Sequence, residues 1–266
     1  VLGAGAGGLS VAAGSAQVGI KVVLLEGDKM GGDCLNYGCV PSKALIAFSN
    51  QRKPKQFNNA MGFVRDAINE IEPHDSEERF RSLGVNVIRE YGQFVNETTV
   101  AAGAYEIQSR RIVIATGVHT PVPDISGLSD VQYYTNQTIF NLTKKPEHLL
   151  VLGGGPVGVE LAQAFARLGV NVTIFEKRKL LSNFSREQVE ILRVSLVEDG
   201  VSLKEDTCVN NISKVGGKLV VQLTNDDKIT GSHLLVATGK KPNLQNLNIQ
   251  AAGISYSDIG IETDQY

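Results

Sequence analysis

The sequence predicts an α/β protein of two three-layer domains with the same internal order, and three features carry that prediction. A short apolar stretch, a glycine-rich turn and a helix-like stretch occur twice, at residues 2–18 and 148–168. Each copy then passes a glycine into a second apolar strand that ends on an acid, Glu26 and Glu176. Each copy closes on a buried-type strand stopped by Ala-Thr-Gly, at residues 111–117 and 233–239. Strand, turn, helix and parallel strand form a βαβ unit, so both domains are read as Rossmann-like.

The first domain is expected over residues 1–118. Gly3, Gly5 and Gly8 form the turn, a helix runs to Val18, and residues 21–25 form the next strand. Residues 61–83 have a helical period with Ile68, Ile71 and Phe80 among the apolar positions, and Pro73 predicts a break there. Short alternating strands are expected at residues 85–88, 98–102 and around Ile107. Residues 119–145, with Pro121 and Pro123, read as a connector.

The second domain is expected over residues 146–243. Gly153, Gly155 and Gly158 form its turn, residues 160–168 its helix and residues 170–175 its second strand. Strands follow at residues 201–203, 218–223 and 228–229, with Asn225-Asp226-Asp227 as a turn. Residues 244–266 are expected to return to the first domain without completing it. Only Val1 and Leu2 precede the first turn, so the natural start is expected upstream.

Composition narrows the function. A net charge of −2 argues against nucleic acid or an anionic membrane surface as the main partner. No apolar run is long enough to span a bilayer. Three cysteines are too few for a disulfide-stapled secreted scaffold. Glycine makes up 28 of 266 residues, about a tenth against a usual ~7%, so the surplus marks the chemistry.

A G-x-G-x-x-G turn suits a pyrophosphate. The first glycine permits the tight bend, the second lets the ligand touch backbone, and the third brings helix and strand together. The helix N-terminus offers free N–H groups and partial positive charge to the anion. Glu26 and Glu176 are placed to accept hydrogen bonds from ribose hydroxyls. One such motif is weak; two in the same context, each with its acid, are strong.

Between the turns lies Gly31-Gly32-Asp33-Cys34, followed five positions after Cys34 by Cys39, then Pro41, Ser42 and Lys43. Pro41 suits the first position of a helix, which puts Cys39 at the positive end of its dipole and favours thiolate. Lys43 adds positive charge one turn on. The pair reads as a redox couple, a structural disulfide or half of a zinc site. Zinc wants a second Cys/His pair, and Cys208 with four scattered histidines does not supply one; no metal site is expected. His74, His119, His148 and His233 read as ordinary surface or strand-end residues.

The segment GGDCLNYGCVPSKAL, the paired glycine motifs and the paired Ala-Thr-Gly strands resemble the class I flavoprotein pyridine nucleotide–disulfide oxidoreductases. That family includes dihydrolipoamide dehydrogenase, glutathione reductase and mercuric reductase, and the mercuric reductase-like branch is the most similar. The resemblance covers essentially the whole chain. It implies that Gly3, Gly5, Gly8, Glu26 and Gly32 hold FAD, with Gly92 contacting the adenine. It implies that Gly153, Gly155, Gly158 and Glu176 hold the nicotinamide cofactor, and that Thr116-Gly117 and Thr238-Gly239 close the two nucleotide sites. Cys39 is implied as the flavin-facing thiol, Cys34 as the interchange thiol, and Lys43 as a residue near the flavin paired with Glu160. Electrons are implied to pass from NAD(P)H through the flavin to the Cys34–Cys39 disulfide. From there they go to a small-molecule disulfide, dithiol or Hg2+ substrate.

Glu176 and Gly158 suit a free ribose hydroxyl, so NAD(H) is expected in preference to NADP(H), although Lys177-Arg178-Lys179 follows at once. The family continues into a C-terminal dimerisation domain carrying a His-Glu acid–base pair. That domain is expected to be absent here, the full-length protein to be a homodimer, and the fragment to be inactive or impaired. Residues 44–59 are shorter than the family's helix and loop. Asp33 stands where many relatives have threonine. A cytoplasmic location is inferred from the class. The alternative is a non-catalytic nucleotide-sensing flavoprotein of the same fold.

Overall fold

A computed structural model describes residues 1–51 and 56–265. The abrupt stretch after Ser49 therefore falls partly outside the described residues. The chain divides into two compact units, Val1–Val40 with Ala67–His119 and Lys240–Tyr266, and Pro41–Asp66 with Thr120–Gly239.

In the first unit, helix α1 (Ala6–Gln17) follows the glycine turn and leads to strand β1 (Val23–Leu25). Helix α2 (Gly32–Asn36) follows; α3 (Cys39–Ser49) passes into the second unit at Pro41 and α4 (Phe57–Ile71) re-enters the first at Ala67, after which α5 (Glu77–Ser82) leads to strand β2 (Asn86–Ile88), which pairs parallel with β1. Pro73 ends α4: a 3-10 turn spans Glu72–Asp75, and Ser76 restarts the chain by accepting the Arg79 N–H at 3.2 Å. That hydroxyl satisfies one of the first N–H groups of α5, which otherwise lack an intrahelical acceptor.

Leu2 bridges Leu25 on one side and Ile114 on the other, both parallel, so the sheet runs Ile114, Leu2, β1, β2. The expected strand at residues 111–117 is thus reduced to one bridge. Side chains alternate across the sheet. Leu24 joins Ala4, Leu9, Ala12, Phe80 and Val87 on the helical side. Leu2 and Leu25 join Phe94, Val100, Leu247 and Ile249 on the other. There the antiparallel strands β3 (Gln93–Asn96), β4 (Thr99–Ala102) and β5 (Tyr105–Gln108) form a meander. The first of these was not expected; a register irregularity between Phe94 and Asn96 obscures its alternation. A two-residue ladder joins Val118–His119 to Lys241–Pro242.

The second unit repeats this plan with complete strands. β6 (His148–Leu152), helix α6 (Pro156–Arg167), β7 (Asn171–Phe175), helix α7 (Arg186–Glu198) and β8 (Val201–Lys204) follow in order. A meander of β9 (Val209–Val215), β10 (Lys218–Leu223) and β11 (Lys228–Gly231) precedes β12 (His233–Val236). The parallel sheet runs β12-β6-β7-β8. Leu150, Leu152, Phe175, Leu234 and Val236 pack on the meander residues Leu219, Val221 and Leu223. Leu149, Val151 and Ile174, the alternate positions, are fully buried. Each unit is therefore three layers: helices, a parallel sheet, and an antiparallel meander. Residues of the connector add to the second unit, with Tyr134 bridging Leu235 at the sheet edge.

Candidate functional site

The two glycine turns have nearly the same geometry. Gly3 has φ +102° and Gly153 φ +105°, which L side chains rarely adopt. A Cβ on Gly3 would stand 2.4 Å from Ala115 O, and one on Gly153 2.4 Å from Ala237 O. Each first glycine therefore lies against the alanine of its own Ala-Thr-Gly segment. A Cβ on Gly8 would meet Gly3 O, and one on Gly158 would meet Gly153 O at 2.1 Å. The middle glycines differ from these. Gly155 has open space where its Cβ would be, and Gly5 meets only Gly32 Cα at 3.9 Å. Both serve as N-cap in extended conformation without a side-chain cap, which leaves the first N–H groups of α1, and those that follow Pro156 in α6, for another acceptor.

The acids at the ends of β1 and β7 hold these turns. Glu26 accepts the Ala4 N–H at 2.7 Å and the Asp28 N–H at 2.8 Å. Glu176 accepts the Gly154 N–H at 2.7 Å and the Arg178 N–H at 2.9 Å. Each carboxylate oxygen thus has one backbone donor and retains a further lone pair for a hydroxyl.

The cysteine loop is fastened to the first turn. Gly31, in the left-handed region at φ +83°, bridges Gly5 and donates to Ala4 O at 2.9 Å. Gly32 lies so near that a Cβ would stand 2.6 Å from Gly5 Cα. Asn36 ties the loop to itself, donating to Met30 O and Gly32 O at 3.0 and 2.9 Å. Cys34, in α2, and Cys39, at the first position of α3, form a disulfide with a Cα–Cα distance of 4.7 Å. The helix starts two residues before the position expected from Pro41; proline is tolerated there because the first turn needs no N–H from it.

Lys43 lies one turn beyond Cys39 on α3. Its ammonium contacts both oxygens of Glu160, at 3.0 and 2.8 Å. Asp33, next to Cys34, lies 3.8 Å from the Lys240 ammonium.

The two Ala-Thr-Gly ends are anchored differently. Thr116 Oγ1 donates to Asn243 O at 2.9 Å, Asn243 Nδ2 donates to Thr116 O at 2.9 Å, and the Asn243 N–H reaches Gly117 O at 3.0 Å. His119 Nδ1 lies 2.6 Å from Asn243 Oδ1. Thr238 Oγ1 instead donates to Pro121 O at 3.0 Å, and Gly239 is open. No sequence motif singles out Asn243, which follows Lys240-Lys241-Pro242 at the end of the expected second domain. Gly92 has a packing reason: its Cβ would meet Leu25, Leu2 and Val100 side chains at 2.8 to 3.1 Å.

Among the described residues no group of three or more His, Cys, Asp or Glu is placed to hold a metal ion, and no helix is long and apolar enough to cross a membrane. His148 opens β6 with its ring nitrogen 2.9 Å from Thr173 Oγ1. Burial lowers its pKa, opposed by a backbone hydrogen bond involving Thr230. Burial likewise lowers His233, opposed by Glu147.

The chain is similar to known proteins in sequence and in fold. The chain is 32% identical over its whole length to a mercuric reductase of Bacillus cereus, covering 45% of that protein. It is 28% identical over 98% of its length to a dihydrolipoyl dehydrogenase of Staphylococcus aureus, covering 60% of it. The structure of an HOCl-induced flavoprotein disulfide reductase of Escherichia coli, in a Cu(II) complex, superposes with TM-score 0.92. That match has 29% identity and covers 99% of this chain and 61% of the other. The chain spans about half the length of the mercuric reductases it matches. The family model described as pyridine nucleotide-disulphide oxidoreductase matches residues 1–266, and the chain belongs to that family.

Proposed function

We propose that this chain carries the two nucleotide sites and the redox disulfide of an FAD-dependent oxidoreductase. It would take electrons from NADH and deliver them to a small-molecule disulfide, a dithiol couple or Hg2+. The single observation that carries the reading is the fastening of the Cys34–Cys39 loop to the first glycine turn through Gly31, Gly32 and Gly5.

The residues present fit FAD at the first turn. Gly5 leaves room for a pyrophosphate, α1 offers its first N–H groups, Glu26 accepts a ribose hydroxyl, and Thr116-Gly117 closes the end. The second turn fits the nicotinamide cofactor in the same way through Gly155, α6, Glu176 and Gly239. When bound, the flavin supplies the conversion between hydride and the electron pair that opens the disulfide. Lys43 contributes positive charge on the helix that begins at Cys39, and Glu160 fixes its direction.

In the reduced pair, the N-terminus of α3 and Lys43 favour the thiolate at Cys39. The Cys34 thiolate attacks one sulfur of an external disulfide and the other sulfur departs as a thiolate. The Cys39 thiolate then attacks Cys34, remaking the Cys34–Cys39 bond and releasing the second thiolate. The external disulfide gains two electrons and two solvent protons.

For the nicotinamide cofactor, NADH is preferred. Glu176 stands where a 2′-phosphate would be repelled, and Lys179 of the adjoining basic run is already paired with Asp206. Steady-state kinetics on the full-length FAD-loaded enzyme tests both parts. The expected result is a larger kcat/KM for NADH than for NADPH, with external disulfide reduction abolished in Cys34→Ser and in Cys39→Ser. Equal turnover in the serine variants would refute the redox role.

A further inference from the structure

We propose that Asp33 sets the redox position of the Cys34–Cys39 disulfide and that Lys240 moderates it. The inference rests on the reading of that pair as a redox couple. Asp33 precedes Cys34 in the first turn of α2. Its carboxylate folds back over the loop that the disulfide closes: a Cβ on Gly38, the residue before Cys39, would stand 2.9 Å from Asp33 Oδ2. One carboxylate is therefore beside the neighbours of both cysteines, whose Cα atoms are 4.7 Å apart. The Asp33 side chain is only 30% exposed, so water screens its field incompletely. Lys240 approaches it to 3.8 Å with a side chain 47% exposed.

The redox step is the exchange of the Cys34–Cys39 disulfide with two external thiols. It gives two cysteine thiols and one external disulfide, with two electrons transferred. Whatever fraction of the cysteine thiols ionises stabilises the reduced side. A carboxylate beside the cysteine loop disfavours thiolate and so weakens that stabilisation. The dithiol becomes a stronger reductant toward the substrate. Lys240 acts in the opposite sense by neutralising part of the charge. Asp33 is a positioning residue for charge: it acts through the cysteines and not on the substrate.

The test is an equilibrium titration of the full-length protein in buffers of reduced and oxidised dithiothreitol, reading free thiols after acid quench. Wild type, Asp33→Asn and Lys240→Met are compared. In Asp33→Asn the constant for reduction is expected to rise about tenfold, about 30 mV toward easier reduction. In Lys240→Met it is expected to fall several-fold. Thiolate absorbance in the ultraviolet should appear at lower pH in Asp33→Asn. A shared constant for all three proteins, or shifts of the opposite sign, overturns the role of Asp33. A wild-type disulfide that does not exchange at all overturns instead the redox reading on which it rests. Should Asp33→Asn fail to fold, Lys240→Met alone decides the sign.

Discussion

Lys43 Nζ is held between both carboxylate oxygens of Glu160, at 3.0 and 2.8 Å, with the two residues 117 positions apart in sequence. The pair is largely exposed, 61% at Lys43 and 39% at Glu160, so it adds little to stability. In the proposed function its role is to fix a positive charge one turn beyond Cys39. Lys43→Met should lower kcat of the full-length enzyme by about 10²-fold, the scale of a lost preorganised charge. Its unfolding free energy should stay within about 1 kcal/mol of wild type. Glu160→Gln keeps the shape and should cost less in kcat. Stopped-flow reduction beside urea denaturation reads both quantities.

The glycines of the second turn separate folding from binding. Gly153→Ala places a methyl 2.4 Å from Ala237 O at φ +105°, and should cost about 3 kcal/mol or more. Gly155→Ala has ordinary φ and open space, so stability should hold or rise by up to about 1 kcal/mol. On the proposed function the same methyl would meet the cofactor pyrophosphate, so NADH affinity should fall about tenfold or more. Thermal unfolding and isothermal titration with NADH distinguish the two outcomes.

Asn243 should act on the FAD site alone. Its side chain and backbone hold Thr116 and Gly117 at 2.9 to 3.0 Å. Asn243→Ala leaves the Thr116 carbonyl without its Nδ2 donor, a loss of about 1–3 kcal/mol. FAD should bind more weakly while NADH affinity is unchanged, as fluorescence titration of each cofactor reports.

Acidification should weaken the second unit. The pKa values of His148 and His233 are lowered in the folded protein, chiefly by burial. The unfolded chain therefore binds more protons as pH falls through the histidine range. The stability from these groups is complete above the unfolded value of about 6.5 and declines as pH drops through the lower folded values. The melting temperature should fall between about pH 7 and about pH 5. The fall should be shallower in a His148→Gln, His233→Gln variant.

Much of this was legible in sequence because the glycine turns are local devices. A glycine at positive φ, an uncapped helix start and an acid at the next strand's end are all specified within one βαβ unit. Both copies therefore showed at once, and with them the parallel strands at β6, β7 and β12. What stayed hidden joins distant residues. The Gly31–Gly5 bridge, the Asn243 clamp on Thr116 and the approach of Lys240 to Asp33 leave no periodic trace. The segment at residues 111–117 reads as a strand by composition, yet strand assignment depends on a partner, and Leu2 offers one bridge. Strand β3 was obscured by its own irregular register.

The redox assignment of Cys34 and Cys39 is settled by counting thiols. The full-length FAD-loaded protein is denatured and titrated with a thiol reagent before and after anaerobic addition of NADH. The expected result is a gain of two thiols per chain, lost when Cys34 and Cys39 are both serine. No gain with NADH, in a protein that binds both cofactors, would show that this disulfide takes no electrons and that the chain is a nucleotide-binding protein without redox chemistry at these cysteines.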